Sequence, residues 1–193
     1  MLGPAIALGG YLLGSVSPGL ILAKRRGVEL RRGGSGNIGA TNVGRLLGKR
    51  AGRQVLLLDA AKGALPALVA RAVLGPDDGW AAATGAAAVL GHCFPIWHGF
   101  RGGKGAATAA GVLLALVPPA GLAAAGTYVA LKKLSGRASV GSLGGALVGA
   151  GCTLALLGPA SPRSLMAGAL LGIVLVRHRD NLVRLARGQE PPS

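Results

Sequence analysis

The chain has 193 residues, 51% of them hydrophobic, with a mean hydropathy of +0.53 and a formal net charge of +15. That is too apolar for an ordinary soluble domain and points to the membrane class. A soluble nucleic-acid binder shares such a charge but does not carry it between apolar spans, and it uses more aromatic stacking residues than the 3% here, so no nucleic-acid partner is expected.

The length suits one compact domain over residues 1–193, with no long polar linker and no internal repeat. The N-terminal apolar run is not read as a signal peptide, because its basic cluster (Lys24, Arg25, Arg26) follows it rather than precedes it. The apolar pattern predicts an all-α integral membrane protein with seven transmembrane helices, at about 4–23, 54–74, 80–95, 105–117, 119–132, 140–158 and 162–177. A helix needs roughly 20 residues to cross the hydrocarbon core. The first two spans meet that length and the others are shorter, rich in the Ala and Gly that suit close helix contact in lipid.

Charge tests this count. With the N-terminus outside, 18 of the 21 Lys and Arg residues fall on the inner side. Only Arg163 is clearly outside, Lys62 and Arg71 lie within a span, and the outer turn near residue 76 carries Asp77 and Asp78. This fits the positive-inside rule, with the C-terminus inside. The segment 105–132 decides the parity. Two successive prolines, Pro118 and Pro119, stop a helix and favour a turn, so a hairpin of two short helices is expected.

Three polar clusters then share the inner face. The first, 33–45, contains Gly34-Ser35-Gly36-Asn37-Ile38-Gly39, a literal G-x-G-x-x-G with Asp59 lying 20 residues beyond. A dinucleotide fold is excluded, because the preceding residues make a poor strand and Asp59 sits in an apolar span. Successive glycines still let backbone N–H groups converge on an anion, and a helix over 38–48 would add its dipole. Ser35, Asn37, Thr41 and Asn42 supply neutral donors and Arg45 a bidentate cation. A flexible loop whose Ser and Asn cap a helix explains the same residues.

The second cluster, 91–105, ends in Gly102-Gly103-Lys104-Gly105. It is not a P-loop, because His98 and Gly105 stand where that motif needs Gly and Ser or Thr. It remains a candidate phosphate cradle opening the next helix. His92 and His98 lack a metal partner at ligand spacing, and Cys93 and Cys152 are isolated, so no metal, redox motif or structural disulfide is expected. Trp97 and Phe100 suit an interfacial belt. In the third cluster, 177–181, His178 and Asn181 share a face if the last span continues as helix, and the His could orient or deprotonate a hydroxyl. A basic helix end lying on anionic headgroups explains that cluster equally well. Asp59 and Lys62, three apart within the second span, are read first as a structural ion pair, with a proton relay as the alternative.

Taken together the motifs are specific. Residues 35–45, residues 91–95 followed by 100–108, and His178-Arg179-x-Asn181 with Arg184-Leu185 and Gly188-x-Glu190 resemble the three signatures of the bacterial acyl-phosphate:glycerol-3-phosphate acyltransferases, the PlsY family. Asp59-x-x-Lys62-Gly63 and the segment Ser139–Ser142 also look like family features. Departures are mild: Arg101 stands where lysine is common and Leu182 where isoleucine is common. The resemblance covers the whole chain.

The resemblance implies a multi-pass enzyme of the bacterial cell (inner) membrane with cytoplasmic glycine-rich active-site loops. It implies transfer of an acyl group from acyl phosphate to the 1-hydroxyl of sn-glycerol 3-phosphate, giving lysophosphatidate and phosphate, the first acylation step of phospholipid biosynthesis. It implies no cofactor, membrane lipid as surroundings, and a functional link to the enzyme that makes acyl phosphate. Catalytic candidates are Ser35, Arg45, Lys104, His178 and Asn181. Substrate-binding candidates are Gly34, Gly36, Asn37, Thr41, Asn42, Gly102, Gly103, Gly105 and Ser142. By resemblance, Ser35 and Ser142 hydrogen-bond phosphate, and His178 and Asn181 orient glycerol 3-phosphate. Two phosphate-bearing substrates repel each other, so dense positive charge is required, with Arg45 and Lys104 its chief sources. The rival readings are an organic-phosphate transporter, which needs midplane sites and usually inverted repeats, and a lipid-binding module without activity.

Overall fold

The computed structural model describes residues 1–75 and 79–193, so the acidic turn expected at Asp77 and Asp78 lies outside the described residues. The described residues form ten α-helices and no strand: α1 Leu2–Gly14, α2 Pro18–Arg25, α3 Ala40–Leu47, α4 Lys49–Leu74, α5 Gly79–Cys93, α6 Ala106–Leu116, α7 Pro118–Ser135, α8 Ala138–Leu157, α9 Pro162–Arg177 and α10 Arg179–Ala186. A 3-10 turn, Ile96–His98, follows α5. By length and composition, Leu2–Arg25 and Ala138–Leu157 are helical stretches able to cross a bilayer.

The first expected span is not one helix. It breaks at Ser15–Ser17, between α1 and α2. Pro18 has no N–H to continue the ladder and disfavours helix at the residue before it. Ser17 Oγ accepts from Leu20 N at 3.4 Å and caps the restart, with Pro18 in the first turn. The break leaves Val16 O free of a helical partner, and Lys62 Nζ of α4 donates to it at 2.7 Å. The second expected span is longer than read, because α4 begins at Lys49.

The double proline makes the expected hairpin. Helix α6 ends at Leu116, and Pro118 occupies the first turn of α7, where a missing N–H costs nothing. Arg71 donates to Ala115 O at 2.9 Å and Arg163 to Leu116 O at 3.3 Å, two cations on the carbonyl end of α6. The main core joins α4, α5, α6 and α9 through Ala67, Val89, Val112, Leu116, Leu170 and Val174. A second core under the first polar loop joins α2, α3 and the start of α4 through Ala23, Leu30, Val43, Ala51 and Val55.

Helices α1 and α5 pack backbone to backbone. A Cβ on Gly14 would lie 2.1 Å from Ala88 O, and one on Gly91 would lie 2.2 Å from Tyr11 O. Overpacking of this kind costs about 1–3 kcal/mol. Gly91→Ala is therefore expected to lower the melting temperature in detergent, whereas Gly9→Ala, with nothing within 4 Å, leaves it unchanged. Equal melting of the two variants contradicts this packing.

Candidate active site

The loop carrying Lys104 is built against the end of α5. Gly102 N donates to Cys93 O and Gly103 N to His92 O, both at 3.1 Å. The carbonyls of Gly103 and Gly102 accept from Arg177 Nε at 2.9 Å and Nη2 at 3.0 Å. The N–H groups of Gly102 and Gly103 thus have protein partners, and these residues shape the loop that carries Lys104. Gly105 has φ +84°, and a Cβ there would lie 3.0 Å from Cys93 Sγ, so its conformation and its space both favour glycine.

Lys104 then points into a polar network. Its Nζ donates to Asn181 Oδ1 at 2.5 Å, and Asn181 Nδ2 donates to Glu190 Oε1 at 2.6 Å. Ser139 Oγ donates to the same Glu190 oxygen at 2.8 Å, and Arg184 Nε to Oε2 at 2.8 Å. Arg137 Nε holds Glu190 O at 2.9 Å. Glu190 is thus the hub joining α8, α10 and the Lys104 loop. Sequence reasoning assigned it no role; its only signal was the Gly188-x-Glu190 resemblance.

The chain after Glu190 continues across this region. Arg45 Nη2 donates to Pro192 O at 2.6 Å, Ser193 N donates to Gly136 O at 2.9 Å, and Ser193 Oγ accepts from Ala138 N. Arg45, Lys104, Asn181 and Glu190 are so brought into one cluster from four separate segments.

The first loop is braced from within. Asn42 is buried; its Oδ1 accepts from Ser35 N at 2.9 Å, and its Nδ2 donates to Leu30 O at 3.1 Å and Gly33 O at 3.0 Å. Gly36 N donates to Gly33 O at 3.0 Å. Gly34 has φ +57°, and a Cβ there would lie 2.2 Å from Asn42 Oδ1. Asn42 therefore braces the loop, and the N–H groups of Ser35 and Gly36 are bonded within it. Gly34, Ser35 and Arg45 are exposed, and Asn37 and Thr41 are half-buried. Ser142 is half-buried on α8, three residues beyond Ser139. Among the described residues no hydrogen bond ties the Ser35 or Ser142 side chains into the Lys104 network.

His178 is not on a continuing helix. Helix α9 stops there (φ −100°, ψ 8°), and Asn181 belongs to α10. His178 is buried, with Nδ1 2.8 Å from Val174 O. A carbonyl can only accept, so Nδ1 carries the proton and Nε2 presents a lone pair.

The electrostatics follow from burial and neighbours. Burial pushes His178 down to about 4; the Val174 hydrogen bond opposes this, while Lys104 reinforces it. Burial likewise brings Lys104 down to about 8, against the pull of Glu190. For Glu190, burial raises the carboxyl, but hydrogen bonds from Arg184, Asn181 and Ser139 outweigh it and hold the group below its ordinary range. At neutral pH the cluster is Lys⁺, neutral His and carboxylate; Arg184 pairs with the carboxylate, while Arg45, Arg137 and Arg177 bond backbone carbonyls of Pro192, Glu190 and Gly102–Gly103. The local charge is therefore positive in surplus, and one member, Lys104, still holds unused N–H donors.

Beneath the loop, Lys62 Nζ lies 2.9 Å and His92 Nδ1 3.4 Å from Asp59 Oδ1. The expected ion pair is there, and it has a third member contributed by α5.

A family model described as glycerol-3-phosphate acyltransferase matches residues 4–188. A Myxococcus xanthus protein named glycerol-3-phosphate acyltransferase is 50% identical, over 96% of this chain and 97% of that protein. One of the same name from Anaeromyxobacter dehalogenans is 46% identical, over 98% and 96%. The crystal structure of PlsY, an integral membrane glycerol 3-phosphate acyltransferase, in its glycerol 3-phosphate form, superposes with a TM-score of 0.96 at 37% identity, covering 100% of this chain and 96% of that one. Its lysophosphatidic acid form gives 0.93 at 36%, covering 100% and 95%. The all-helical architecture, the three polar clusters and these matches lead to one conclusion: the chain belongs to the PlsY-type glycerol-3-phosphate acyltransferase family.

Proposed function

We propose that the chain transfers an acyl group from acyl phosphate to the 1-hydroxyl of sn-glycerol 3-phosphate, releasing lysophosphatidate and inorganic phosphate. The observation that carries this reading is the cationic cluster around Lys104 and Arg45, beside a buried histidine with a free lone pair. The related PlsY structures hold glycerol 3-phosphate and lysophosphatidic acid, an acceptor and a product of this reaction. The protein spans a cell (inner) membrane seven times. The α1–α2 pair forms the first span, and α4 to α9 form the other six. The N-terminus is outside and the site faces the cytoplasm, as the basic residues of α2, α3, α7 and α10 support.

In the reaction the glycerol oxygen attacks the acyl carbon, the bond from that carbon to the phosphate oxygen breaks, and the departing phosphate takes the hydroxyl proton. Acyl phosphate is a mixed anhydride, so orientation and charge stabilisation supply most of the rate. Lys104 and Arg45 meet the phosphates, with Arg45 exchanging Pro192 O for a phosphate oxygen. Ser35, Thr41 and Asn37 on the first loop and Ser142 on α8 add neutral hydrogen bonds, and Asn181 holds Lys104 in place. His178 Nε2 accepts the hydrogen bond of the attacking hydroxyl and orients it.

A base with a pKa of about 4 takes few protons at neutral pH, which is why the proton is assigned to phosphate. His178 is accordingly expected to contribute no limb near pH 6.5, the ordinary histidine value. A limb near 6.5 that His178→Gln removes would make His178 the proton acceptor instead.

The donor is tested with purified protein in detergent, given glycerol 3-phosphate and either palmitoyl phosphate or palmitoyl-CoA. Lysophosphatidate from palmitoyl phosphate alone supports the reading; product only from the thioester overturns the donor, and no product from folded protein overturns the reaction.

A further inference from the structure

Arg177 is the last residue of α9, adjacent to His178, and it grips the Lys104 loop from one side. Its Nε and Nη2 reach the consecutive carbonyls of Gly103 and Gly102 at 2.9 and 3.0 Å, and its guanidinium lies 5.3 Å from the Phe94 ring centroid. A rigid fork bonded to two neighbouring carbonyls fixes both peptide planes, which a single ammonium does not do.

The opposite side of the same two residues is held by α5. Their N–H groups bond to Cys93 O and His92 O, and His92 Nε2 sits where a Cβ on Gly103 would come within 2.2 Å. His92 in turn rests 3.4 Å from Asp59 Oδ1, which Lys62 holds. Every backbone polar group of Gly102 and Gly103 is therefore engaged, and the next residue is Lys104, whose ammonium meets Asn181 at 2.5 Å. Two donors of Arg177 are occupied by carbonyls, which fits a part in building the loop better than a direct grip on phosphate.

We propose that Arg177 is a positioning residue for acyl transfer, acting through the Gly102 and Gly103 carbonyls to place the Lys104 ammonium. This rests on the reading of Lys104 as a phosphate-binding cation. The same helix end thereby sets two parts of the site at once: His178 by its own position, and Lys104 through the preceding side chain. Arg177→Lys keeps the charge and loses the fork, so it retains only a fraction of the function.

A double-mutant cycle tests this, because residues acting through one another are non-additive while independent ones add. The protein, Arg177→Gln, Lys104→Ala and the double variant are assayed for kcat/KM with palmitoyl phosphate and radiolabelled glycerol 3-phosphate, with melting temperatures in parallel. Arg177→Gln is expected to cost about tenfold or more when Lys104 is present and no more than about twofold when it is alanine. If the Gln variant does not fold, Arg177→Lys serves in the same cycle. An equal cost in both backgrounds overturns the proposal, since Arg177 then acts independently of Lys104; so does an unchanged rate in the single variant. Wild-type kinetics in Lys104→Ala alone overturns the role of Lys104, and the proposal with it.

Discussion

Lys104→Ala is expected to lower kcat/KM by about 10²–10³-fold, the usual loss when one preorganised donor to a developing or transferred anion is removed. Lys104 has one donor on Asn181 and the rest available, and it sits in a half-buried site where charge is weakly screened. Its pH dependence is equally specific. With a pKa near 8, the free enzyme loses the ammonium as pH rises through 8, so kcat/KM should fall on that side. A bound dianion raises the lysine again, so the limb in kcat should lie higher. Lys104→Arg, which stays charged, should abolish the limb while keeping part of the activity. An identical alkaline limb in Lys104 and Lys104→Arg enzymes would remove lysine ionisation as its source.

Glu190→Ala should cost about 3 kcal/mol of stability and most of the activity. Its carboxylate receives Asn181, Ser139 and Arg184. Asn181 and Ser139 are buried, and leaving a buried polar group unsatisfied costs roughly 1–3 kcal/mol. Arg184 is partly exposed and rehydrates, so it adds little. Because Lys104 hangs from Asn181, the loss of order travels to the phosphate site. The sign of the pH effect follows from the lowered folded pKa: the contribution is complete above 4.5, the carboxyl's ordinary value, and is lost as pH falls through the lower value in the fold. Thermal unfolding of the parent and of Glu190→Ala, from pH 7 down to well below 4.5, checks this: the difference between them should shrink only on the acid side. A variant melting like the parent at pH 7 would show that the network does not hold the site together.

Much of this architecture could be read before any coordinates, because membrane helices announce themselves by apolar length and by charge between them. The Pro118-Pro119 hairpin and the end of α9 at Arg177 are where the pattern placed them. The break at Ser15–Ser17 was hidden because apolar residues run on both sides of it; its local signal is Ser17 followed by Pro18. The glycine loops were located, but not the hydrogen bonds that brace them. Glycine spacing shows where backbone can approach an anion, not which carbonyls have already taken the N–H groups, and at Gly102, Gly103 and Gly36 the protein itself had. Asp59 and Lys62 were visible as a pair because they lie one turn apart, while His92 joins them only through α4–α5 packing. Glu190 escaped for the same reason: its partner Ser139 is 51 positions away.

The buried trio of Asp59, Lys62 and His92 also bears on biogenesis. In the seven-span arrangement α4 is a transmembrane segment with an aspartate and a lysine in its interior, and each central charge opposes translocon-mediated insertion by roughly 2.5–3.5 kcal/mol. Neighbouring side chains reduce that penalty only after they arrive. Val16 O at the α1–α2 junction is synthesised first, and His92 emerges only with α5. Beyond the Asp59–Lys62 pair that α4 makes by itself, a ribosome-bound chain ending within α4 is expected to be retained less well in the bilayer than one that extends through α5, which a membrane-integration assay on truncated chains checks.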